Sequence, residues 1–354
     1  MHKKQIAQMK KFFPELEGAF SELLAACRGK KIAVAGHMRP DGDCAASQFA
    51  LADILSGAGA AEAVCVNQNP LPRLYENFAF GREFLDAGAF DDRSFEVVTV
   101  DCADYARTNL RLCERFPSPL GCIDHHFSNH SSARINAIDP SASATAELIA
   151  GMAFDAGLEI SPENAGRLYM GIAADTRQFT TPSTRPTTFE IAARLLECGA
   201  EAAGVAVELY QRETMGKLKL LGRFLETLEL FENSRACMGV LKAGIFAETG
   251  SEKADSDGLV DYARSIDGVE IALLLEQMPN GVKGSLRAKT PDMRVNEIAA
   301  RFGGGGHLAA PRARGSKRSG RKLSGLWANI CANTIHERNK RCKNNSFQTS
   351  RAFC

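Results

Sequence analysis

The sequence predicts an α/β protein, with a largely parallel sheet in an N-terminal domain and a smaller α+β domain after it. Three observations carry that reading. Short apolar runs at 31–36, 62–66, 95–100 and 119–123 alternate with helical stretches, the βα pattern that builds parallel sheets. From about Cys237 the pattern changes to runs at 237–243, 269–277 and 282–288, with the hairpin signal Asn280-Gly281 between the last two. A length of 354 residues suits about two domains. The expected division is a first domain over 1–214, a connecting helix over 215–232, a second domain over 233–310 and a basic tail over 311–354.

Residues 3–27 place Ile6, Met9, Phe13, Leu16, Phe20, Leu23 and Leu24 at helical spacing, interrupted by Pro14. They predict a helix or broken helix packed on the first domain. Ile32-Ala33-Val34-Ala35 reads as a buried strand, and Ala45 to Leu55, small and apolar, as the helix behind it. Further helices are expected at 143–157, 161–173, 187–199 and 203–212. Leu218, Leu221, Leu225 and Leu228 form a stripe along 215–231, a packing surface rather than a cofactor site. In the second domain, helices are expected at 257–265 and 294–302.

Composition narrows the class. Hydrophobic residues make up 45% of the chain, ordinary for a globular protein, and no apolar run reaches the ~18 residues of a membrane span. Met1 to Lys11 is basic but lacks the apolar core and cleavage site of a secretory signal, so a cytoplasmic location is expected. Eleven cysteines lack CxxC spacing, and Cys65, Cys122 and Cys237 lie in apolar runs, so they read as reduced core residues. The net charge of +1 hides an asymmetry, because residues 311–354 hold eleven Lys or Arg and one acid.

The chemistry sits in four segments that each end an apolar element in acidic or histidine residues. They are His37-Met38-Arg39-Pro40-Asp41-Gly42-Asp43, Asp101 with Asp104 behind it, Asp124-His125-His126, and Asp175. One such segment alone reads equally well as a helix cap or a turn. Four in order, at the carboxyl ends of strands where α/β sheets bind ligands, point to a site. Asp41 and Asp43 alternate in an extended turn, which suits two adjacent metal ions better than one. Asp104 keeps an even alternative as a helix cap.

This order of motifs resembles that of the DHH phosphoesterase family, and Arg301-Phe302-Gly303-Gly304-Gly305-Gly306-His307 resembles the glycine-rich signature of the family's associated C-terminal domain. Ser128-Asn129, the stretch from Asp139 to Glu147, and Gly171-Ile172 extend the likeness toward the bacterial nanoRNase type, which degrades very short RNA and dephosphorylates pAp. The resemblance covers roughly residues 15 to 310 and implies two divalent metal ions, with Mn²⁺ favoured by a mixed imidazole and carboxylate donor set. It implies that His37, Asp41 and Asp101 hold one ion, and that Asp43, Asp101, His125 and Asp175 hold the other, with Asp101 bridging. His126 would contact the phosphate or assist the leaving group, and Asp124 would orient a neighbouring histidine. The second domain would recognise substrate across a cleft, through Arg287, through the backbone of Gly304, Gly305 and Gly306, and through His307. Implied partners are short single-stranded RNA and nucleotides, with a homodimer left open and no membrane.

Linear or cyclic dinucleotides are the alternative substrates, and a non-catalytic nucleotide-binding regulator is the rival class. Two departures from the family pattern stand out. Arg177 occupies a position where glycine is common, and adds positive charge beside the site. After Ala309-Ala310, where the family continues with glycine and a further strand or helix, the chain runs Pro311-Arg312-Ala313-Arg314-Gly315-Ser316-Lys317-Arg318. That tail reads first as a solvated extension. It could instead be an RNA-capturing arm, or mark a change of reading frame.

Overall fold

A computed structural model describes residues 11–130, 133–279, 281–290, 293, 295–300, 305–307 and 310–315, the last two stretches as backbone. The chain divides into two compact units, Met1–Arg212 and Glu213–Cys354.

The first unit is built on six strands: β1 (Lys31–Ala35), β2 (Glu62–Asn67), β3 (Phe84–Asp86), β4 (Phe95–Val100), β5 (Gly121–Asp124) and β6 (Ile135–Ile138). All pair in parallel, in the order β3-β2-β1-β4-β5-β6. The order reverses between β1 and β4, and a crevice opens at the carboxyl ends of the strands on either side of such a reversal. Val34 of β1 pairs with Cys65 of β2 and Val98 of β4, so the turns after β1 and β4 emerge side by side.

Helices cover the sheet: α1 (Glu17–Cys27), α2 (Gly42–Gly57), α3 (Leu110–Arg115), α4 (Thr145–Asp155), α5 (Pro162–Asp175), α6 (Pro186–Glu197) and α7 (Ala202–Ala206). Pro14 opens a 3-10 turn, Pro14–Leu16, that leads into α1. The carboxylate of Asp155 anchors the entering chain by accepting from the N–H groups of Phe12 and Phe13, at 2.9 and 2.7 Å. Almost every residue of α2 from Gly42 to Leu55 is buried, which its small side chains permit. Gly171 of α5 is the point of closest approach. A Cβ there would lie 2.8 Å from Ala146 Cβ on α4 and 2.9 Å from Ala46 Cβ on α2. On the same helix Arg167, 1% exposed, is held by Asp53, by Asn164 Oδ1 and by the carbonyls of Phe78 and Ala79.

The second unit contains α8 (Met215–Leu225), β7 (Glu229–Phe231), β8 (Ala236–Leu241), α9 (Ile245–Thr249), α10 (Leu259–Ser265), β9 (Ile271–Met278), β10 (Gly281–Ala288), α11 (Val295–Ala300), β11 (Gly305–His307) and β12 (Ala310–Gly315). Its sheet runs β11-β12-β10-β9-β8-β7, parallel between β8 and β9 and antiparallel elsewhere. Met278 pairs with Gly281 across the expected hairpin, while Asn280 lies outside the described residues.

Several expectations are corrected. The helix expected over 203–212 is α7 followed by a π-helical turn, Val207–Gln211. The connecting helix stops at Leu225, and Leu228 leads into strand β7. There Thr227 ends the helix: its hydroxyl donates to Phe224 O at 2.7 Å and accepts from Val240 N at 2.8 Å. Strands β3 and β6 escaped sequence reading because at three and four residues they show too little period. The tail boundary also moves. Ala310–Gly315 forms β12, pairing Ser285 with Arg312 and Val282 with Gly315, so the basic stretch begins inside the sheet. Residues 316–354 lie outside the described residues. No helix among the described residues is long and apolar enough to cross a membrane. The eight described cysteines are unpaired, six of them buried.

The packing of α2, α4 and α5 generates a paired test. Gly171→Ala should cost about 1–3 kcal/mol through overpacking. Gly166→Ala, on the same helix but with nothing within 4 Å of the added carbon, should be neutral or stabilising by about 0.5–1 kcal/mol. Thermal or urea denaturation of the two variants checks both signs.

Candidate active site

Six residues from four segments converge at the carboxyl edge of the parallel sheet. After β1 the chain passes Gly36, where a Cβ would lie 2.3 Å from Cys44 Sγ and 2.5 Å from Gln48 Oε1, so only glycine fits. His37 follows, 6% exposed. Its Nδ1 lies 2.9 Å from the carbonyl of Met38, an acceptor, so Nδ1 carries a proton. Nε2 then faces Asp101 Oδ2 at 3.4 Å and Asp41 Oδ2 at 3.7 Å. Asp41 serves twice, since its Oδ1 also caps α2 by accepting from Cys44 N at 3.1 Å.

Asp43, in the first turn of α2, is 1% exposed. Its Oδ2 accepts from Thr145 N at 2.7 Å and its Oδ1 from Ala146 N at 2.8 Å. These N–H groups open α4, the end of a helix that favours negative charge. That terminus is itself braced. Glu147, fully buried, accepts from Ser143 N and Thr188 Oγ1, both at 2.9 Å, and lies 3.6 Å from Arg185. The stretch from Asp139 to Glu147 thus has a physical role, since it builds the helix end that grips Asp43.

Asp101 follows β4 with φ +53, a left-handed conformation that costs a non-glycine residue about 1–3 kcal/mol. It is 2% exposed, and its N–H donates to Ile123 O at 3.1 Å. The two carboxylate oxygens face different ways. Oδ2 faces His37, while Oδ1 accepts from Thr145 Oγ1 at 3.1 Å and lies 3.6 Å from His125 Nε2. His125 has its Nδ1 against the carbonyl of Ala142 at 3.3 Å, so it too presents Nε2. Around that atom stand Asp43 Oδ2 at 3.9 Å and Asp175 Oδ2 at 3.8 Å. Asp175 is the last residue of α5, at the helix end that disfavours a carboxylate.

The next histidine plays another part. His126 Nδ1 lies 2.7 Å from Oδ1 of the fully buried Asp124, whose Oδ2 accepts from Asn129 Nδ2 at 2.7 Å. Asp124 therefore orients His126, and Nε2 is the atom His126 can turn toward a ligand. Asp104 is a cap, accepting from Ala106 N at 3.0 Å.

The donors suit divalent cations. Separations of 3.4 to 3.9 Å between imidazole nitrogens and carboxylate oxygens are wider than hydrogen bonds. Donors that each sit about 2.1 Å from one ion are ~3–4 Å apart. Electrostatics points the same way. Burial and the neighbouring Asp101 hold Asp43 well above the carboxylate range. Burial, with Asp41 and Asp101 adding, pushes Asp175 up to about 7. His125 rises to about 9, because the charges of Asp43, Asp101 and Asp175 outweigh burial. Asp101 alone falls below its usual range, since the close imidazoles of His37, His125 and His126 outweigh burial. The cluster has too many buried acids for its cations, and divalent ions would correct that.

The structure brings together His37, Asp41, Asp43, Asp101, His125 and Asp175, with Asp124 and His126 beside them. It also adds residues that sequence reading missed. Thr145 and Glu147 lay in a noted stretch but had no assigned contact. Cys44 faces His37 and Asp101, yet burial pushes its thiol up to about 12, so it stays protonated. Arg177 has φ +48, which explains why glycine is common at that position.

In the second unit, Arg287 lies on β10, its Nη1 donating to Leu286 O at 2.9 Å and its Nε 4.0 Å from Asp261 Oδ1. Gly305, Gly306 and His307 form β11, paired with β12 instead of a loose loop. Gly304 lies outside the described residues.

The raised groups predict proton release on metal binding. With Asp43, His125 and Asp175 all raised, the metal-free site carries protons at pH 7 that its ligand atoms must give up. A divalent ion must displace them, so affinity should weaken as pH falls through about 9, where His125 takes up a proton, and further below about 7, where Asp175 does. Calorimetric titration of Mn²⁺ in buffers of different ionisation enthalpy should register at least one proton released at pH 7. No release would mean that these groups are not ligands.

The comparisons with known proteins agree on the lineage. The N-terminal domain of the DHH family matches residues 31–172, and the DHHA1 domain matches residues 238–326. The chain is 30% identical over 298 residues to the bifunctional oligoribonuclease and PAP phosphatase NrnA of Thermus thermophilus, covering 83% of this chain and 86% of that one. It is 26% identical over 282 residues to the Bacillus subtilis protein of the same name, covering 78% and 87%. An exopolyphosphatase-related protein from Bacteroides fragilis shares the fold, with a TM-score of 0.80 at 22% identity over 95% of this chain and 100% of that one. With its four motifs gathered at one sheet edge and a DHHA1 domain following, the chain belongs to the DHH family of phosphoesterases.

Proposed function

We propose that this protein hydrolyses short RNA oligomers to mononucleotides and dephosphorylates pAp to AMP, using two divalent cations, Mn²⁺ by preference. The observation that carries the reading is the split carboxylate of Asp101, with one oxygen toward His37 and the other toward His125. His37, Asp41 and Asp101 would hold one ion, and Asp43, Asp101, His125 and Asp175 the other. The names of its relatives in Thermus thermophilus and Bacillus subtilis support the choice of substrates. Imidazole donors on both sides favour Mn²⁺ over Mg²⁺, which prefers oxygen.

When bound, such ions supply the charge that activates water and stabilises both oxygens of an in-line displacement at phosphorus. The chain's own residues do the rest. Asp101, rigid in its left-handed turn, sets the spacing of the two halves. Asp124 holds His126 with Nε2 directed to the phosphate or the departing oxygen. The α4 terminus fixes the orientation of Asp43 by donating an N–H group to each of its oxygens. Arg287 and His307 would bind the remainder of the nucleotide, Arg287 through paired hydrogen bonds to phosphate.

A purified-protein assay with Mn²⁺ on pAp, a dinucleotide, a five-mer RNA and inorganic pyrophosphate tests the assignment. Turnover of pAp and the short RNAs is expected, and turnover of pyrophosphate alone would overturn it. Asp101→Asn should abolish hydrolysis, and activity within tenfold of the unaltered protein at saturating Mn²⁺ would sink the shared-carboxylate arrangement. Arg287→Ala should weaken turnover of pAp and RNA by about tenfold, as losing a charged hydrogen bond does. Hydrolysis of a small artificial phosphodiester should hardly change; equal losses on both would assign Arg287 to the fold.

A further inference from the structure

Phe127 follows the His125-His126 pair directly and is 92% exposed. Among the described residues no other large hydrophobic side chain is so bare, the next being Leu110 and Met215 at 67%. A single exposed apolar residue is ordinary on a protein surface. This one differs in where it stands and in how its backbone is held.

The position is set by the chain. His126 Nδ1 is 3.7 Å from Asp101 Oδ1, the oxygen that faces His125. Phe127 is the adjacent residue, with its Cα about 3.8 Å along the chain. A phosphate at the cluster therefore has Phe127 within one nucleotide's reach.

The support is stiff. Asn129 N donates to His126 O at 3.1 Å, closing a turn over Phe127 and Ser128. The Asn129 side chain donates to Asp124 Oδ2 at 2.7 Å and to Cys102 O at 3.4 Å, which pins the far side of the turn to the ends of β4 and β5. The same Asp124 orients His126. One buried carboxylate thus fixes both the histidine and the base of the aromatic side chain. An aromatic ring with two torsions on a fixed turn loses little entropy when it meets a flat ligand.

We propose that Phe127 is a base-stacking platform, a substrate-contacting residue that takes the nucleobase next to the phosphate held at the metal cluster. Stacking on a π-face accepts every base, so Phe127 would give affinity for nucleotides over base-free phosphoesters without reading sequence. Purines, with the larger face, would gain more than pyrimidines. The proposal rests on the phosphoesterase reading above and names the part of the substrate that this edge of the site selects.

The test compares Phe127→Ala and Phe127→Trp with the unaltered protein, all loaded with Mn²⁺. Substrates are a diadenosine dinucleotide, a diuridine dinucleotide and an abasic dinucleotide. Phe127→Ala should raise KM for the diadenosine substrate by about tenfold, within the range of base–aromatic stacking. The preference for base-bearing over abasic substrate should fall in the same proportion, and Phe127→Trp should restore it. In Phe127→Trp, AMP should quench the new indole's fluorescence, measured against the unaltered protein with its single Trp327. Equal losses on all three substrates, or an unquenched indole with AMP bound by calorimetry, would overturn the platform. If the unaltered protein cleaves no dinucleotide, the functional reading fails first. The platform then stands or falls on AMP quenching alone, which needs no turnover.

Discussion

Asp101 is the point on which the structure turns. One carboxylate, 2% exposed, sits where the strand order of the parallel sheet reverses and divides its oxygens between two imidazoles. A buried charge of this kind persists only if surrounding groups satisfy it. Thr145 donates to one oxygen, His37 faces the other, and the left-handed turn that aims them is locked by the N–H bond to Ile123. Everything nearby either presents a donor to Asp101 or holds a residue that does.

The surrounding carboxylates repel one another, and the fold manages this in different ways at each. Asp43 receives two N–H groups of α4, though burial and Asp101 still hold it well above the carboxylate range. Asp41 is more than half exposed, so water screens it, and it caps α2 at the same time. Asp175 has neither remedy: it ends a helix, and it is the acid pushed up to about 7. The site is therefore short of positive charge. The strain is local, because Glu147, Ser143 and Thr188 fix α4 from behind, and Gly171 lets α5 close onto α2 and α4.

The second unit answers to a different constraint. Its mixed sheet gains its outer edge from β11 and β12, a glycine-rich strand and the start of a strongly basic stretch. Composition alone suggests a solvated tail at Pro311. The alternation of Arg312 and Arg314 with smaller neighbours is equally the period of a strand, and the ladder to β10 shows that period in use. Hydrogen bonding to a neighbouring strand made a strand of residues that the sequence analysis had assigned to the tail.

Much of this protein could be read before its structure was known. The βα alternation, the leucine stripe and the hairpin at Asn280-Gly281 each depend on periods of a few residues. The motifs His37 to Asp43, Asp101, Asp124 to His126 and Asp175 could be recognised because their chemistry demands fixed residue types at the ends of elements. Sequence alone determined the α/β class, the family and the set of acids and histidines. What the tertiary structure decided is how these are held: that Asp101 faces both halves, that Asp124 serves His126, that Thr145 and Glu147 brace the site, and that Arg177 stands in a left-handed turn. Those facts depend on contacts across as many as 103 positions of chain, such as Asp43 with Ala146. Local spacing carries no record of such contacts, because they arise only when packed helices bring the two segments together.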